Sequence, residues 1–298
     1  MKISVIHYNG VIYRPPIEAD TFMIPVTEGC SYNRCDYCTM YRGIPFRMVK
    51  PDQIAEFLEQ AIAASGTELA NDITRVYLIG GDPFALSPAR LHRILDVIAE
   101  YLPAVQTITM YASAANIVAK TDEQLRDLAK RGVNDLYIGV ETGLDSALHQ
   151  LNKESSSQQM LTQLQRLNAA GIRHRDLLML GAAGRGHGQA SALASAAFVN
   201  QSKPDMVMFT TMAAFPGTPL FDHIQAGTFT MASEREILME ERTFIEHVDV
   251  PHTLLRAGHV LDSVPLRGYL VEDKQRLLAT LDQALATLGE HDYSRVFG

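Results

Sequence analysis

Three thiols set the first chemical question. Cys30, Cys35 and Cys38 are the only cysteines in the 298 residues, and all lie within Glu28-Gly29-Cys30-Ser31-Tyr32-Asn33-Arg34-Cys35-Asp36-Tyr37-Cys38. An odd number confined to one short stretch is not a disulfide framework; it points to a reducing compartment and a metal. Free cysteines are usually dispersed through cores as small apolar residues, whereas these share a polar loop with Asn, Arg and Asp. A structural zinc site wants four protein ligands. There is no fourth cysteine, and the first histidine after the loop is His92. An iron-sulfur cube held by three thiolates leaves one iron without a protein ligand, so three cysteines suffice for it. The spacing alone leaves three readings open: unrelated core cysteines, a zinc site, or a cluster.

Four further stretches combine glycine with polar groups: Gly80-Gly81-Asp82-Pro83, Tyr111-Ala112-Ser113, Gly139-Val140-Glu141-Thr142-Gly143 and Leu180-Gly181-Ala182-Ala183-Gly184. Each taken alone is also an ordinary turn or cap. Tyr37 could be an apolar anchor, Ser113 a cap and Lys153 a solvated charge. Arg185 and His187 are candidate substrate contacts, as are His252 and His259, which stand with His247, Asp249 and Arg256 in the C-terminal part. Those histidines do not show a metal-ligand spacing on a helix. Met206, Met208 and Met212 read as flexible packing of a core or pocket.

The elements that position these groups follow from the rhythm of the chain. Short runs rich in β-branched and large apolar residues predict strands over 21–26, 75–79, 107–111, 135–140, 176–180 and 205–210. Amphipathic stretches over 52–64, 88–101, 122–129, 156–170 and 189–200 predict helices between them, with Gly132 and Gly171 as C-terminal stops. Strand-helix repetition with short loops implies right-handed crossovers and a parallel sheet, open or curled into a barrel. Beyond it, 234–247 and 272–288 read as polar-faced helices around an irregular stretch from Val248 to Arg267. The expected organisation is an N-terminal extension (1–20), a β/α core (21–230) and a C-terminal helical extension packing on it (231–298).

Composition narrows the class. Hydrophobic residues make up 47% and charged residues 20%, as in an ordinary globular protein. With 26 Lys and Arg against 34 Asp and Glu, the formal charge of −8 opposes phosphate backbones and anionic lipid, so neither nucleic acid nor membrane is an expected partner. The opening Met1-Lys2-Ile3-Ser4-Val5 lacks the apolar region of a signal peptide and no apolar run reaches spanning length, which predicts a cytoplasmic protein.

The cysteine loop resembles that of the radical S-adenosylmethionine (SAM) superfamily, which commonly carries C-x3-C-x2-C after its first strand with an aromatic before the last cysteine, here Tyr37. The first spacer is one residue longer in this chain. Gly80-Gly81-Asp82 resembles the superfamily's GGE motif with Asp for Glu. The stretches at Tyr111–Ser113 and Gly139–Gly143 are similar to positions of the branch with a coproporphyrinogen dehydrogenase and Elongator-type radical domain. Tyr13-Arg14-Pro15-Pro16, Thr27-Glu28-Gly29-Cys30 and Phe46-Arg47 look like a subgroup described as Fe-S oxidoreductases. All the strand-end motifs fall at the C-terminal ends of predicted strands, where a β/α barrel builds its site, so the expected fold is α/β, a partial (β/α)6 TIM-like barrel with a C-terminal helical extension.

The resemblance implies a 4Fe-4S cluster on Cys30, Cys35 and Cys38, with SAM chelating the fourth iron and reductive cleavage giving a 5'-deoxyadenosyl radical. It implies Tyr37 near adenine, Gly80, Gly81 and Asp82 at the amino group, and Ser113, Glu141 and Lys153 at polar groups of the nucleoside or methionine. Gly181 would offer a backbone contact on the adenine side. A reduced flavodoxin or ferredoxin would supply the electron, and the substrate would be small or medium-sized. With all three thiols used, none remains for a second cluster, a methyl-carrying cysteine or a thiyl hydrogen donor, leaving hydrogen abstraction or adenosyl addition. The alternatives are a non-catalytic Fe-S sensor or electron carrier and a zinc-stabilised β/α protein.

Overall fold

The computed structural model describes residues 12–66, 68–287 and 297, so the opening Met1–Val5 segment and Leu288 lie outside the described residues. In chain order the strands are β1 (Phe22–Pro25), β2 (Thr27–Glu28), β3 (Arg47–Met48), β4 (Arg75–Ile79), β5 (Thr107–Ala112), β6 (Val133–Glu141), β7 (Arg173–Leu180), β8 (Met206–Thr211), β9 (Leu254–Ala257) and β10 (Leu266–Tyr269). The helices are α1 (Pro51–Ser65), α2 (Glu68–Asp72), α3 (Pro88–Tyr101), α4 (Ala114–Val118), α5 (Asp122–Lys130), α6 (Asp145–Gln150), α7 (Ser157–Ala170), α8 (Gly188–Ser202), α9 (Pro219–Gln225), α10 (Glu234–His247) and α11 (Lys274–Thr287). The main sheet has eight strands in the order β1-β4-β5-β6-β7-β8-β9-β10. All six expected strands and all five core helices form, with ends shifted by three residues at most.

The chain divides into two compact units. One holds the described residues up to Asn33 with Met40–Ile138 and Arg166–Arg173; the other holds Arg34–Thr39, Gly139–Gln165 and the described residues from His174 onward. In the first unit, β1, β4, β5 and β6 run parallel, with Ile24 opposite Leu78, Tyr77 opposite Thr109 and Tyr111 opposite Tyr137. Val76, Tyr77, Leu78 and Ile79 are all buried; such continuous apolar runs are what a parallel strand covered on both faces requires. Helix α3 begins at Pro88 and buries Leu91, Ile94, Leu95 and Ile98, one stripe at helical spacing.

In the second unit β7, β8 and β9 are parallel and β10 returns antiparallel to β9. This corrects the irregular stretch expected between Val248 and Arg267, which carries β9 and the start of β10. Helix α10 starts with a capping box in which Ser233 and Glu236 satisfy each other's backbone N–H. Helix α8 is rich in Ala and Ser, and the close approach this allows is visible at Gly143, where a Cβ would stand 2.4 Å from the Ala194 carbonyl oxygen.

Candidate metal centre

In the first unit the cysteine loop and the Gly-Gly-Asp turn touch backbone to backbone. Gly29 turns the chain out of β2 at φ 70°, and a Cβ there would lie 2.9 Å from the carbonyl oxygens of Ile44 and Pro45. Gly81 N–H donates to the Gly29 carbonyl at 2.9 Å, and a Cβ on Gly81 would stand 2.8 Å from Cys30 Cα. Only glycine fits such an approach. Gly80, at φ 149°, is closed in the same way by the Thr27 side chain. Asp82, 4% exposed, accepts from Ser31 N–H at 2.9 Å and from the Ser31 hydroxyl. Burial pushes its carboxyl up, and the bonds from Ser31, with Asn116 and Lys120 nearby, pull it back.

Ser113 is the N-cap of α4: its Oγ accepts from Asn116 N–H and Asn116 Oδ1 accepts from Ser113 N–H. Behind the turn lies Lys120, which sequence reasoning missed because a lysine outside any motif reads as surface. It is 2% exposed, its Nζ donates to the carbonyls of Phe84 at 2.6 Å and Asn116 at 3.1 Å, and it sits 4.2 Å from the Phe84 ring centroid. Burial brings its ammonium down to about 8, with Asp82 acting in the opposite sense.

In the second unit, the later half of the cysteine loop is pinned by Asp36 N–H donating to Leu151 O at 3.0 Å and by Leu220 N–H donating to Asp36 O at 3.1 Å. Cys38 N–H donates to Cys35 O at 3.3 Å, so these two cysteines share one turn. Glu141, the last residue of β6, adopts φ 65°, a conformation uncommon outside glycine. Its Oε1 lies 2.8 Å from Lys153 Nζ, and both crowd the space over Gly139, where a Cβ would meet Glu141 Oε1 at 2.6 Å. The Tyr37 hydroxyl bonds with Glu141 and with the Cys35 thiol. Burial raises Tyr37 far above its ordinary value, reinforced by Glu141. Burial also pushes the Cys35 thiol up, and Lys153 pulls it back toward the thiolate. For Lys153 burial disfavours the charge, but Glu141 and the two thiols more than offset this and keep it protonated. Cys35, Cys38, Tyr37, Glu141 and Lys153 therefore form one cluster.

The other sequence candidates spread along the same unit. Gly181, at φ 79°, donates its N–H to Glu240 Oε2 at 2.8 Å. Glu240 and Glu241 on α10, which sequence reasoning missed, are both buried; burial pushes them up to about 7 and about 8. Arg185 lies 4.0 Å from Glu236, and His187 is exposed at the start of α8. His259 follows β9 and is held to Asp262, whose carboxylate also accepts from Thr211 at the end of β8. His252 precedes β9 and bonds Glu272, at the opposite ends of the strands from Leu180 and Thr211. The structure thus does not bring it to the strand ends where a substrate contact was expected.

The donor chemistry suits an iron-sulfur cluster: all three cysteines are free thiols on one loop, and the Lys153 ammonium beside Cys35 offsets part of the burial that raises that thiol. Among the described residues no three His, Cys, Asp or Glu side chains come close enough to hold one metal ion. A cube asks less, because each thiolate binds a separate iron.

Comparison with known proteins places residues 24–184 in the family described as "Radical SAM superfamily". A heme chaperone, HemW, of Bacillus subtilis (strain 168) is 29% identical over 157 residues, 51% of this chain and 40% of the relative. This chain thus matches less than half the length of that curated relative. Among solved structures, the Escherichia coli coproporphyrinogen III oxidase HemN is similar with a TM-score of 0.56 and 18% identity, covering 76% of this chain and 52% of that one. Methylornithine synthase (PylB) gives a TM-score of 0.52 and 18% identity, covering 92% and 83%. Likeness at that identity shows the fold, the α/β partial-barrel type expected from the family resemblance and its strand-end motifs.

Proposed function

This chain belongs to the radical SAM superfamily, whose cofactors are a 4Fe-4S cluster and SAM, and from that membership we propose that it is an oxidoreductase-type enzyme that cleaves SAM reductively to act on a small or medium-sized substrate. The observation that carries the reading is the joining of Cys35 and Cys38 to Tyr37, Glu141 and Lys153 in one half-buried cluster that pairs an ammonium with a carboxylate. Bound together, the cluster and SAM supply a 5'-deoxyadenosyl radical that removes hydrogen from the substrate, or adds to it.

The chain's own residues supply binding, orientation and exclusion of water. Cys30, Cys35 and Cys38 would hold the cluster. Asp82 would receive the ammonium of SAM, its carboxylate already oriented by Ser31, with Gly80 and Gly81 letting the backbone approach. Tyr37 would pack near adenine, Ser113, Glu141 and Lys153 would bind polar groups of the nucleoside or methionine, and Gly181 would add a backbone contact. Arg185, His187 and His259 are proposed on the substrate side. A reduced flavodoxin or ferredoxin would deliver the electron, consistent with a cytoplasmic setting; among the described residues no helix is long and apolar enough to cross a membrane.

The test is anaerobic reconstitution followed by dithionite and SAM. About four iron and four sulfide per chain, with 5'-deoxyadenosine that disappears in Cys35→Ala, is the expected result. Zinc without sulfide would overturn the reading, and a cluster with no deoxyadenosine under any electron donor would favour a sensor or carrier. The HemW match favours a second reading, heme handling. It draws on the half-buried Tyr37, Phe221, Ile224 and Met231 packed on one apolar cluster. Heme titration of the same sample, followed by its absorption spectrum, decides it.

A further inference from the structure

Three tyrosines on adjacent strands of the first unit meet ring to ring. Tyr77, Tyr111 and Tyr137 have centroids 6.0, 6.3 and 6.1 Å apart, the pairs being edge-on or tilted. Tyr111 and Tyr137 are register partners on β5 and β6. Tyr77 and Tyr137 are fully buried, while Tyr111 is half-buried and lies two residues before Ser113, at the strand end. The Tyr137 hydroxyl donates to Glu18 Oε1 at 2.5 Å, and Arg75 bridges Glu18 and Asp135. The triad therefore reaches from the strand ends that carry the candidate cofactor residues to a buried, ion-paired carboxylate. Packing alone would be served by phenylalanine, since a buried phenol normally has a hydrogen-bond partner. The Tyr77 hydroxyl has none among the described residues.

Resting on the radical reading above, we propose that Tyr111 is the hydrogen-atom donor that closes the substrate radical, and that Tyr77 and Tyr137 share the resulting hole. The chain has no spare thiol for that task. A carbon-centred substrate radical takes the hydrogen of the Tyr111 hydroxyl: the O–H bond breaks, a C–H bond forms, the substrate is reduced and Tyr111 becomes a neutral phenoxyl. The hole spreads when an electron passes from Tyr137 to Tyr111; the Tyr137 phenolic proton goes to Glu18 and Tyr111 takes one from solvent. One electron from the external iron-sulfur or flavin donor and one proton restore the phenol.

Two measurements test this. The reconstituted full chain is given SAM and dithionite in D2O without substrate, so that the 5'-deoxyadenosyl carbon radical stands in for the substrate radical and takes the exchangeable deuteron of the Tyr111 hydroxyl, and the deuterium carried per 5'-deoxyadenosine is read by mass spectrometry. Wild type is expected to carry close to one deuterium, and Tyr111→Phe at least about tenfold less, a ratio independent of total yield. Unchanged deuterium in Tyr111→Phe, or none in wild type, overturns the proposal. Failure to form any deoxyadenosine sinks the radical reading instead. The cluster-free chain is then decisive on its own: photochemical one-electron oxidation should give a tyrosyl electron paramagnetic resonance signal that falls several-fold in Tyr111→Phe and Tyr77→Phe. The exposed Tyr269→Phe control should leave it intact. A signal insensitive to the triad overturns the proposal whatever the cofactor assay shows. Circular dichroism of each variant confirms folding.

Discussion

Ser31 and Asp82, 51 residues apart in sequence, are joined by two hydrogen bonds, one from the serine backbone and one from its hydroxyl. The residue after the first cysteine and the residue expected to receive an ammonium group are therefore one mechanical unit. Moving either moves the other.

Ser31→Ala removes the hydroxyl donor and keeps the backbone one. A hydrogen bond to a charged acceptor contributes about 1.5–3 kcal/mol, so the reconstituted cluster should lose iron to a chelator roughly ten times faster or more. Asp82→Ala, which releases both donors, should be worse. Bleaching of the cluster absorbance gives the rate, and equal rates in all three proteins would refute the coupling.

Breaking the Lys153–Glu141 pair leaves one buried charge alone. Lys153→Met and Glu141→Gln should each cost about 3–5 kcal/mol in urea unfolding of the cluster-free chain, and the double variant should recover part of it. Additive losses would show that the two side chains do not depend on each other.

Stability should fall as the medium is made less acidic from pH 5 to 8. Glu240 and Glu241 are raised to about 7 and about 8, so between the ordinary carboxylate range and those values the folded chain holds more protons than the unfolded one. Linkage then makes folding less favourable with rising pH across that window, by at most about 3–5 kcal/mol for one such group. Urea midpoints at each pH for wild type and Glu241→Gln test it; the variant's profile should be flatter.

Lys120 predicts the opposite slope on the alkaline side. Its folded value of about 8 lies below the ordinary 10.5, so between these the folded chain holds fewer protons and stability should rise with pH, by roughly 3 kcal/mol at most. Lys120→Met should abolish that rise. A parallel profile in the variant would show that Lys120 does not titrate in this window.

Much of this was legible in the sequence, and the reasons divide by range. The six core strands could be read because each is a buried apolar run bounded by turns. Tyr37 stands out beside the cysteines and Glu141 within the Gly139–Gly143 stretch, whereas Lys153 is carried by no motif. Strands β9 and β10 are only four residues each and lack the β/α context that marked the equally short β1; β9 pairs with β8 and β10 with β9. Lys120, Glu240 and Glu241 carry charges that read as solvated until tertiary packing buries them. The Ser31–Asp82 bonds depend on a backbone approach that glycine permits but does not announce.

The later half of the cysteine loop waits on residues made much later. Arg34 O receives its bond from Asn152, 118 residues onward, and Asp36 is pinned through Leu151 and Leu220. At about 5–20 residues per second of synthesis, Cys35 and Cys38 stay without that support for roughly 6–24 s or longer on the ribosome. During that interval they are ordinary reactive thiols. Loading of the proposed cluster would thus be a late maturation step, possible only once Leu151 and Leu220 have been made.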